Sequence, residues 1–126
     1  MDCFGTNLHL FFFFVNGQEG EAIFKQNCAA CHKLGKRFIG PDLIGVNQKR
    51  SEDWLLSFIK SSQTMIKSGD ADAVAIYEEF NQVMMTDLAH LSDDDIKTIL
   101  SYIEQQSSSM NSTEEPVEIV EVVPTI

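Results

Sequence analysis

The chain has 126 residues, of which 19 are acidic and 9 are lysine or arginine, giving a formal net charge of −10. The length is in the usual range for a single domain, and the negative charge argues against a protein that binds nucleic acids through their phosphates. A leader and a tail leave about 90 residues to fold, and a domain of that size often depends on a cofactor or a crosslink for stability.

The first 17 residues resemble a secretory leader. Their apolar run, Leu8 to Val15, is shorter than the roughly 20 residues needed to span a membrane, but it fits the apolar region of a signal peptide. Val15 and Gly17 are acceptable residues around a cleavage site, whereas Asp2 and the absence of Lys or Arg depart from the signal-peptide pattern. We therefore expect residues 1–17 to be a signal peptide-like leader, with an uncleaved anchor as the alternative.

A C-x-x-C-H run lies at the end of the first predicted helix, which we expect to extend from Glu19 to Cys31. Cys28, Cys31 and His32 form this run, which is the attachment signature of c-type haem. Residues three and four apart share a helix face, so both thiols can form thioethers with the haem vinyl groups while the imidazole binds iron. A zinc site would need a second Cys or His pair, and a thioredoxin-like pair would need a βαβ context.

The remaining domain predicts further helices and no strands. Ser51 is a candidate N-cap for a helix with an acidic first turn, and Gly69-Asp70 opens the next one. Ser92-x-x-Asp95 resembles a capping box at the start of the last helix. That helix carries an apolar stripe made of Ile96, Ile99, Leu100 and Ile103.

A haem attached in this way can take a sixth ligand from the chain, and three residues are candidates: Met84, Met85 and His90. Met65 and Met110 are less well placed. A methionine ligand raises the reduction potential and suits electron transfer, whereas His90 would lower the potential. The two methionines also fit a simpler role as flexible fillers of apolar gaps.

Residues 18–106 resemble a small class I cytochrome c domain, because several motifs agree in order and spacing. These are Gly20 and Phe24 before the haem motif, Gly40-Pro41-Asp42-Leu43-Ile44-Gly45 after it, Trp54, Met85-Thr86, and Leu91-Ser92 with the helix that follows. The resemblance implies an all-α cytochrome c fold, with three to five helices wrapped around one covalently attached haem c.

The resemblance also implies the role of each site residue. Cys28 and Cys31 attach the haem, His32 is the proximal iron ligand, and the carbonyl of Pro41 fixes the orientation of that imidazole. The spacing to Leu91-Ser92 favours Met85 over Met84 as the distal ligand, although Thr86 stands where the family commonly has proline. Gly20 implies a close crossing of the first and last helices, with Phe24 and Tyr102 packed there.

Charge is distributed unevenly along the domain. Five basic residues cluster near His32, whereas the segment between Lys67 and Lys97 has eight acidic residues and no basic one. We expect this asymmetry to orient the protein on redox partners, and electron-transfer rates that do not respond to ionic strength would contradict the idea. Residues 107–126 are expected to form a disordered acidic tail, in which the alternating residues 117–123 offer a strand to a partner's sheet.

These expectations describe a periplasmic or otherwise extracytoplasmic single-electron carrier of a respiratory chain, and not an enzyme. Its partners would be redox proteins such as a terminal oxidase, a quinol-cytochrome c oxidoreductase or a reductase. We expect a monomer that meets the membrane only through an uncleaved leader or a partner complex. The alternatives are a haem-based ligand-binding or peroxidase-like protein with a labile sixth ligand, and a haem module tethered to a larger respiratory complex by its tail.

Overall fold

The computed structural model of the chain describes residues 18–113, which form helices and connecting loops without a strand. Helix α1 covers residues 18–27. It is followed by α2 (Val46–Lys49), α3 (Glu52–Ser68), α4 (Ala71–Glu79) and α5 (Asp93–Thr113). The all-α prediction is confirmed. None of the helices in the described part is both long and apolar enough to cross a membrane.

Side-chain caps begin three of these helices. The Ser51 hydroxyl accepts a hydrogen bond from the Trp54 backbone N–H (3.2 Å) at the start of α3, and the Asp70 carboxylate caps α4. Ser92 and Asp95 form the predicted capping box, because each backbone N–H donates to the side chain of the other at 3.1 Å. Each cap satisfies backbone donors that the first helical turn leaves without a partner.

The core forms where α1 crosses α5. A Cβ atom on Gly20 would lie 2.7 Å from both the Thr98 carbonyl oxygen and the Tyr102 Cβ, so only glycine permits this approach. The Phe24 and Tyr102 rings pack with centroids 5.6 Å apart. The predicted apolar stripe of α5 is buried in this core, together with Phe24, Leu55, Leu88 and Leu91.

Two predicted boundaries are wrong. The first helix ends at residue 27 and not at Cys31, because the Ala29 N–H bonds to the carbonyl of Phe24, five residues earlier, and the chain turns. The tail was expected to start at residue 107, but α5 continues through Thr113. The buried Ser107 hydroxyl explains the extension, since it accepts from the Gly45 N–H (2.9 Å) and donates to the Ile103 carbonyl (2.7 Å). The leader at 1–17 and residues 114–126 lie outside the described residues.

Helix α3 is kinked at Ser61, whose φ of −158° and ψ of 85° are not helical. The Ser61 hydroxyl accepts from the Thr64 backbone N–H (3.3 Å), as an N-cap does, so the helix restarts after it. The kink leaves the Lys60 carbonyl free to accept a hydrogen bond from the Leu88 N–H (3.1 Å). Helix α3 thereby anchors the loop between α4 and α5.

Candidate haem-binding site

A cavity of about 500 Å³ opens between the C-x-x-C-H turn, helix α3 and the loop between α4 and α5. Such a volume falls within the range of roughly 300–1,000 Å³ that is usual for small-molecule and cofactor sites. Cys28, Cys31 and His32 line it from the turn that follows α1, and Met84 and Met85 line it from the α4–α5 loop. The fold therefore brings residues more than 50 positions apart around one cavity.

The C-x-x-C-H run forms a compact turn held by its own backbone. The Cys31 and His32 N–H groups both donate to the Cys28 carbonyl, at 3.2 and 2.9 Å. Burial raises the pKa of the Cys28 thiol to about 11. No group of three or more potential metal-binding His, Cys, Asp or Glu side chains occurs among residues 18–113. The described residues therefore offer no second ligand pair of the kind that a structural zinc site needs.

The His32 imidazole is oriented by two neighbouring residues. Its Nδ1 donates a hydrogen bond to the Pro41 carbonyl at 2.9 Å, as expected from the sequence, and this bond leaves Nε2 available to bind iron. Gly40 packs against the ring so closely that a Cβ there would lie 2.5 Å from the His32 Cε1. The sequence did not reveal this role of Gly40, because the contact depends on the course of the loop.

The methionine candidates differ in their surroundings. Met85 packs against the hydrophobic core, and its carbonyl accepts a hydrogen bond from the Gln63 side chain (3.3 Å). Met84 also lines the cavity but is 43% exposed. His90 is exposed, pairs with Asn27 at 3.2 Å, and lies outside the cavity lining, as do Met65 and Met110.

The loop that carries Met85 is fixed to α3 at several points. Besides the Gln63 bond to Met85 and the Lys60 carbonyl bond to Leu88, the Lys60 ammonium pairs with the Asp93 carboxylate at the start of α5. That side-chain hydrogen bond lowers the pKa of Asp93, and the Lys60 charge adds to the effect. The middle of the loop and its α5 end are therefore held against helix α3, beside the cavity.

Two buried polar atoms in the cavity lining have no partner in the described structure, the Arg50 Nε and the Ser62 Oγ. Buried polar groups in folded proteins are nearly always paired, so these two atoms could each form a hydrogen bond to a group bound in the cavity. A haem is largely apolar and carries two propionate carboxylates, which suits an apolar cavity into whose wall one guanidinium N–H, that of the Arg50 Nε, is buried. The residues present therefore fit a haem. The sequence had indicated Arg50 only as one of the basic residues near His32, and it had given no signal for Ser62.

The basic and acidic segments predicted from the sequence meet at the cavity. Arg37 bonds to the Glu79 carboxylate at 3.0 Å and lies over the Phe80 ring, and Arg50 approaches Asp72 at 3.7 Å. All four charged side chains are partly or largely exposed, so each pair contributes little to stability. Two of the five basic residues near His32 are thus partly neutralised by acidic neighbours.

Known proteins agree with this assignment. A relative described as "Cytochrome c-553-like" from Synechocystis sp. is 42% identical over 50 residues, which are 39% of this chain and 48% of that protein. The match thus spans about half the length of that relative. A cytochrome c from Rhodothermus marinus superposes with a TM-score of 0.67 at 33% identity, over 75% of this chain and 78% of that one.

The cytochrome c domain of the pp3183 protein from Pseudomonas putida superposes with a TM-score of 0.66 at 31% identity, over 74% of this chain and 92% of that one. The profile of the family described as Cytochrome c matches residues 17–107, which is more than half of the sequence. The chain therefore belongs to the cytochrome c family and has the fold of a class I domain.

Proposed function

We propose that the protein carries single electrons on one haem c, attached through Cys28 and Cys31 and ligated by His32 and Met85. The observation that carries the proposal is the shared cavity, in which the attachment turn, an imidazole with its Nε2 free of hydrogen bonds in the described structure, and a half-buried methionine all line one space. When bound, the haem supplies the one-electron couple of its iron.

The residues of the chain would each hold or tune that group. The hydrogen bond from the His32 Nδ1 to the Pro41 carbonyl makes the imidazole a stronger ligand and fixes its ring. The Met85 thioether is a soft ligand that favours reduced iron and a higher potential. Arg50 would pair its buried Nε with a propionate carboxylate, and the apolar side chains of α3 and α5 would exclude water from the site.

The cavity rim suits a redox partner. Ile39 and Val83 line the cavity yet are 46% and 51% exposed, so apolar surface surrounds the opening through which an electron would pass. We place the protein in the periplasm or another extracytoplasmic compartment, in a respiratory chain, with an oxidase or a quinol-oxidising complex as partner. Family membership supports a carrier that catalyses no substrate reaction.

The test is an absorption spectrum of the purified holo-protein, oxidised and reduced, with and without carbon monoxide. We expect the weak far-red band of a ferric His/Met haem and no response of the ferrous form to carbon monoxide. Met85→Ala should abolish the band and open the site to carbon monoxide, whereas the matched variant Met84→Ala should leave both unchanged.

Other outcomes would identify the alternatives. A wild-type protein that lacks the band and binds carbon monoxide readily would contradict the carrier and favour a ligand-binding or peroxidase-like protein. Loss of the band in Met84→Ala, but not in Met85→Ala, would show that Met84 is the iron ligand. Co-purification of the full chain with a respiratory complex, lost when residues 114–126 are deleted, would favour the tethered module.

A further inference from the structure

Exposed apolar side chains lie beside the end of α5, on the loop that follows the haem motif. Phe38, Ile39 and Met110 form this α5-end patch, and they are 42%, 46% and 42% exposed. The Met110 side chain packs against the loop, because a Cβ on Gly35 would lie 2.5 Å from its Cε. Large apolar residues exposed together are a feature of interaction surfaces.

Basic side chains without an acidic partner border the α5-end patch. Lys33 and Lys36 are both exposed, and neither forms an ion pair within residues 18–113. The Lys33 ammonium lies 4.4 Å from the centroid of the Phe38 ring, so its charge is at the patch itself. The last turns of α5, residues 105–113, contain no acidic residue. The patch therefore suits an occupant that is both apolar and acidic.

The loop that carries the patch is tied together by one carboxylate. Asp42 is the only acidic residue in the segment 33–50, against five basic ones. Its Oδ1 accepts hydrogen bonds from the Gly35 N–H (2.7 Å) and the Ile44 N–H (2.9 Å). The loop is thus a preformed surface with a net positive charge, and an occupant need not order it on binding.

The chain itself contains a segment of the required chemistry. Residues 117–123, which lie outside the described residues, combine five valine or isoleucine residues with two glutamates, and Glu114 and Glu115 precede them. Met110 lies only about 5 Å along the helix axis before Thr113, whereas four extended residues after Thr113 span about 13 Å. The segment is therefore long enough to reach the α5-end patch.

We propose that residues 117–123 dock on the α5-end patch and thereby compete with external redox partners for the rim of the haem cavity. Glutamates of the tail would pair with Lys33 and Lys36, while the apolar side chains would cover Phe38 and Ile39. Ile39 lines the cavity, so a docked segment would occupy part of the surface that a partner needs. The docking depends on the patch alone, whereas the competition rests on the proposed electron-carrier function.

The tether makes even a weak contact effective. A segment joined to its site by a short linker has an effective concentration in the millimolar range, so an affinity of about 1 mM would cover the patch in roughly half to nine-tenths of the molecules. Release of the segment should then raise the rate of reaction with an external partner about 2–10-fold. Salt screens exposed ion pairs, so this difference should shrink as the ionic strength rises.

Amide NMR spectra of the full-length holo-protein test the docking directly. The unpaired electron of a ferric haem shifts nearby resonances, so we expect residues 117–123 to differ between the ferric and ferrous forms. Ile119→Ser combined with Val120→Ser should abolish these differences and shift the Phe38 amide. Adjacent side chains of an extended segment point to opposite sides, so the pair alters whichever side faces the patch. The variant keeps all four glutamates of the tail, so its charge is unchanged.

Variants of the loop test the same contact from the other side. Lys33→Gln combined with Lys36→Gln should also release the segment. Lys67→Gln is the matched control, because it removes an equal charge from an exposed position near the end of α3, and it should leave the segment docked. Oxidation of the ferrous protein by hexacyanoferrate(III), an anion that exposed lysines attract, should be about 2–10-fold faster in the Ile119/Val120 variant than in the wild type.

Three outcomes would overturn the proposal. Resonances of residues 117–123 that are the same in both oxidation states would leave the patch to an external redox partner. Differences that grow with protein concentration would assign the patch to a second copy of the chain. Equal oxidation rates in the wild type and the Ile119/Val120 variant would refute the competition even if the segment docks.

The failure of this inference is distinguishable from the failure of the carrier function. A wild-type protein that lacks the far-red band and binds carbon monoxide would contradict the carrier. The docking would still be measurable in that protein, because a ferric haem is paramagnetic with either set of ligands. A wild-type protein with the band, whose residues 117–123 do not respond to the oxidation state, would contradict only the docking.

Discussion

Gly40→Ala should displace the His32 ring, and the structure gives the size of the displacement. An added Cβ would lie 2.5 Å from the ring Cε1, 2.8 Å from Nδ1 and 3.0 Å from Nε2, whereas ordinary contacts begin at 3.4 Å. The backbone of Gly40 cannot easily retreat, because its N–H bonds to the Cys31 carbonyl (2.7 Å) and its carbonyl accepts from Phe38 (3.1 Å). The ring must therefore move by about 0.9 Å, the gap between 2.5 and 3.4 Å.

A movement of that size would disrupt the 2.9 Å bond from the His32 Nδ1 to the Pro41 carbonyl. Loss of such an outer partner typically lowers metal affinity about 10–100-fold, which is about 1.4–2.8 kcal/mol. Overpacking adds about 1–3 kcal/mol of destabilisation. Without this hydrogen bond the His32 imidazole would also donate less electron density to the iron. The ferric state would then be stabilised less, so the reduction potential should rise.

Gly69→Ala is the matched control. Gly69 has a φ of +83° and no atom within 4 Å of an added Cβ, so alanine there costs about 1–2 kcal/mol through backbone strain alone. Urea unfolding of the holo-proteins should show both variants destabilised, with the potential and the visible spectrum changed only in Gly40→Ala. If Gly40→Ala loses stability but keeps the wild-type potential and spectrum, the packing of Gly40 does not govern the ligand.

Two further predictions concern the Met85 loop and helix α4. Gln63→Leu removes the hydrogen bond to the Met85 carbonyl, a loss of about 0.5–1.5 kcal/mol. The concentration of added imidazole that displaces Met85 from the ferric haem should therefore fall about 2–13-fold, and a value equal to that of Gln48→Leu, at an exposed position, would contradict it. Hydrogen bonds from the Ala73 backbone N–H and, to a smaller extent, from the Trp54 indole N–H lower the pKa of Asp70 below its usual value of 3.8. The ionised Asp70 carboxylate therefore stabilises the folded protein fully above pH 3.8, and this stabilisation is lost as the pH falls through the pKa that Asp70 has in the folded state. Asp70→Asn should therefore lose less stability than the wild type on acidification in urea titrations, and parallel curves would show that Asp70 does not contribute.

Local signals in the sequence predicted the helix starts well. The caps at Ser51 and at Ser92 with Asp95 act over three residues, so donor and acceptor are both visible in one short stretch of sequence. The end of α1 could not be read in the same way, because helical propensity continues through Ala29 and Ala30. Only the folded turn shows that the chain leaves the helix at residue 27.

Features that depend on distant contacts were missed for a physical reason. Helix α5 extends past residue 107 because the Ser107 hydroxyl bonds to Gly45, 62 positions earlier, and no local pattern encodes that pairing. The contact of Gly40 with the His32 ring likewise requires the path of the whole loop. The kink at Ser61 did have a local signal, since adjacent serines followed by Thr64 offer the backbone side-chain partners that compete with helix bonds.

Sequence spacing and structural environment both favour Met85 over Met84 as the ligand. Spacing to the capping box at Ser92 favours Met85, but adjacent residues differ by only one position in such a comparison. The structure separates them by environment, because Met85 packs on the core while Met84 is 43% exposed. A side chain must hold one orientation to bind iron. Core packing and the hydrogen bond from Gln63 restrict the conformation of Met85, whereas the exposed Met84 side chain lacks this packing.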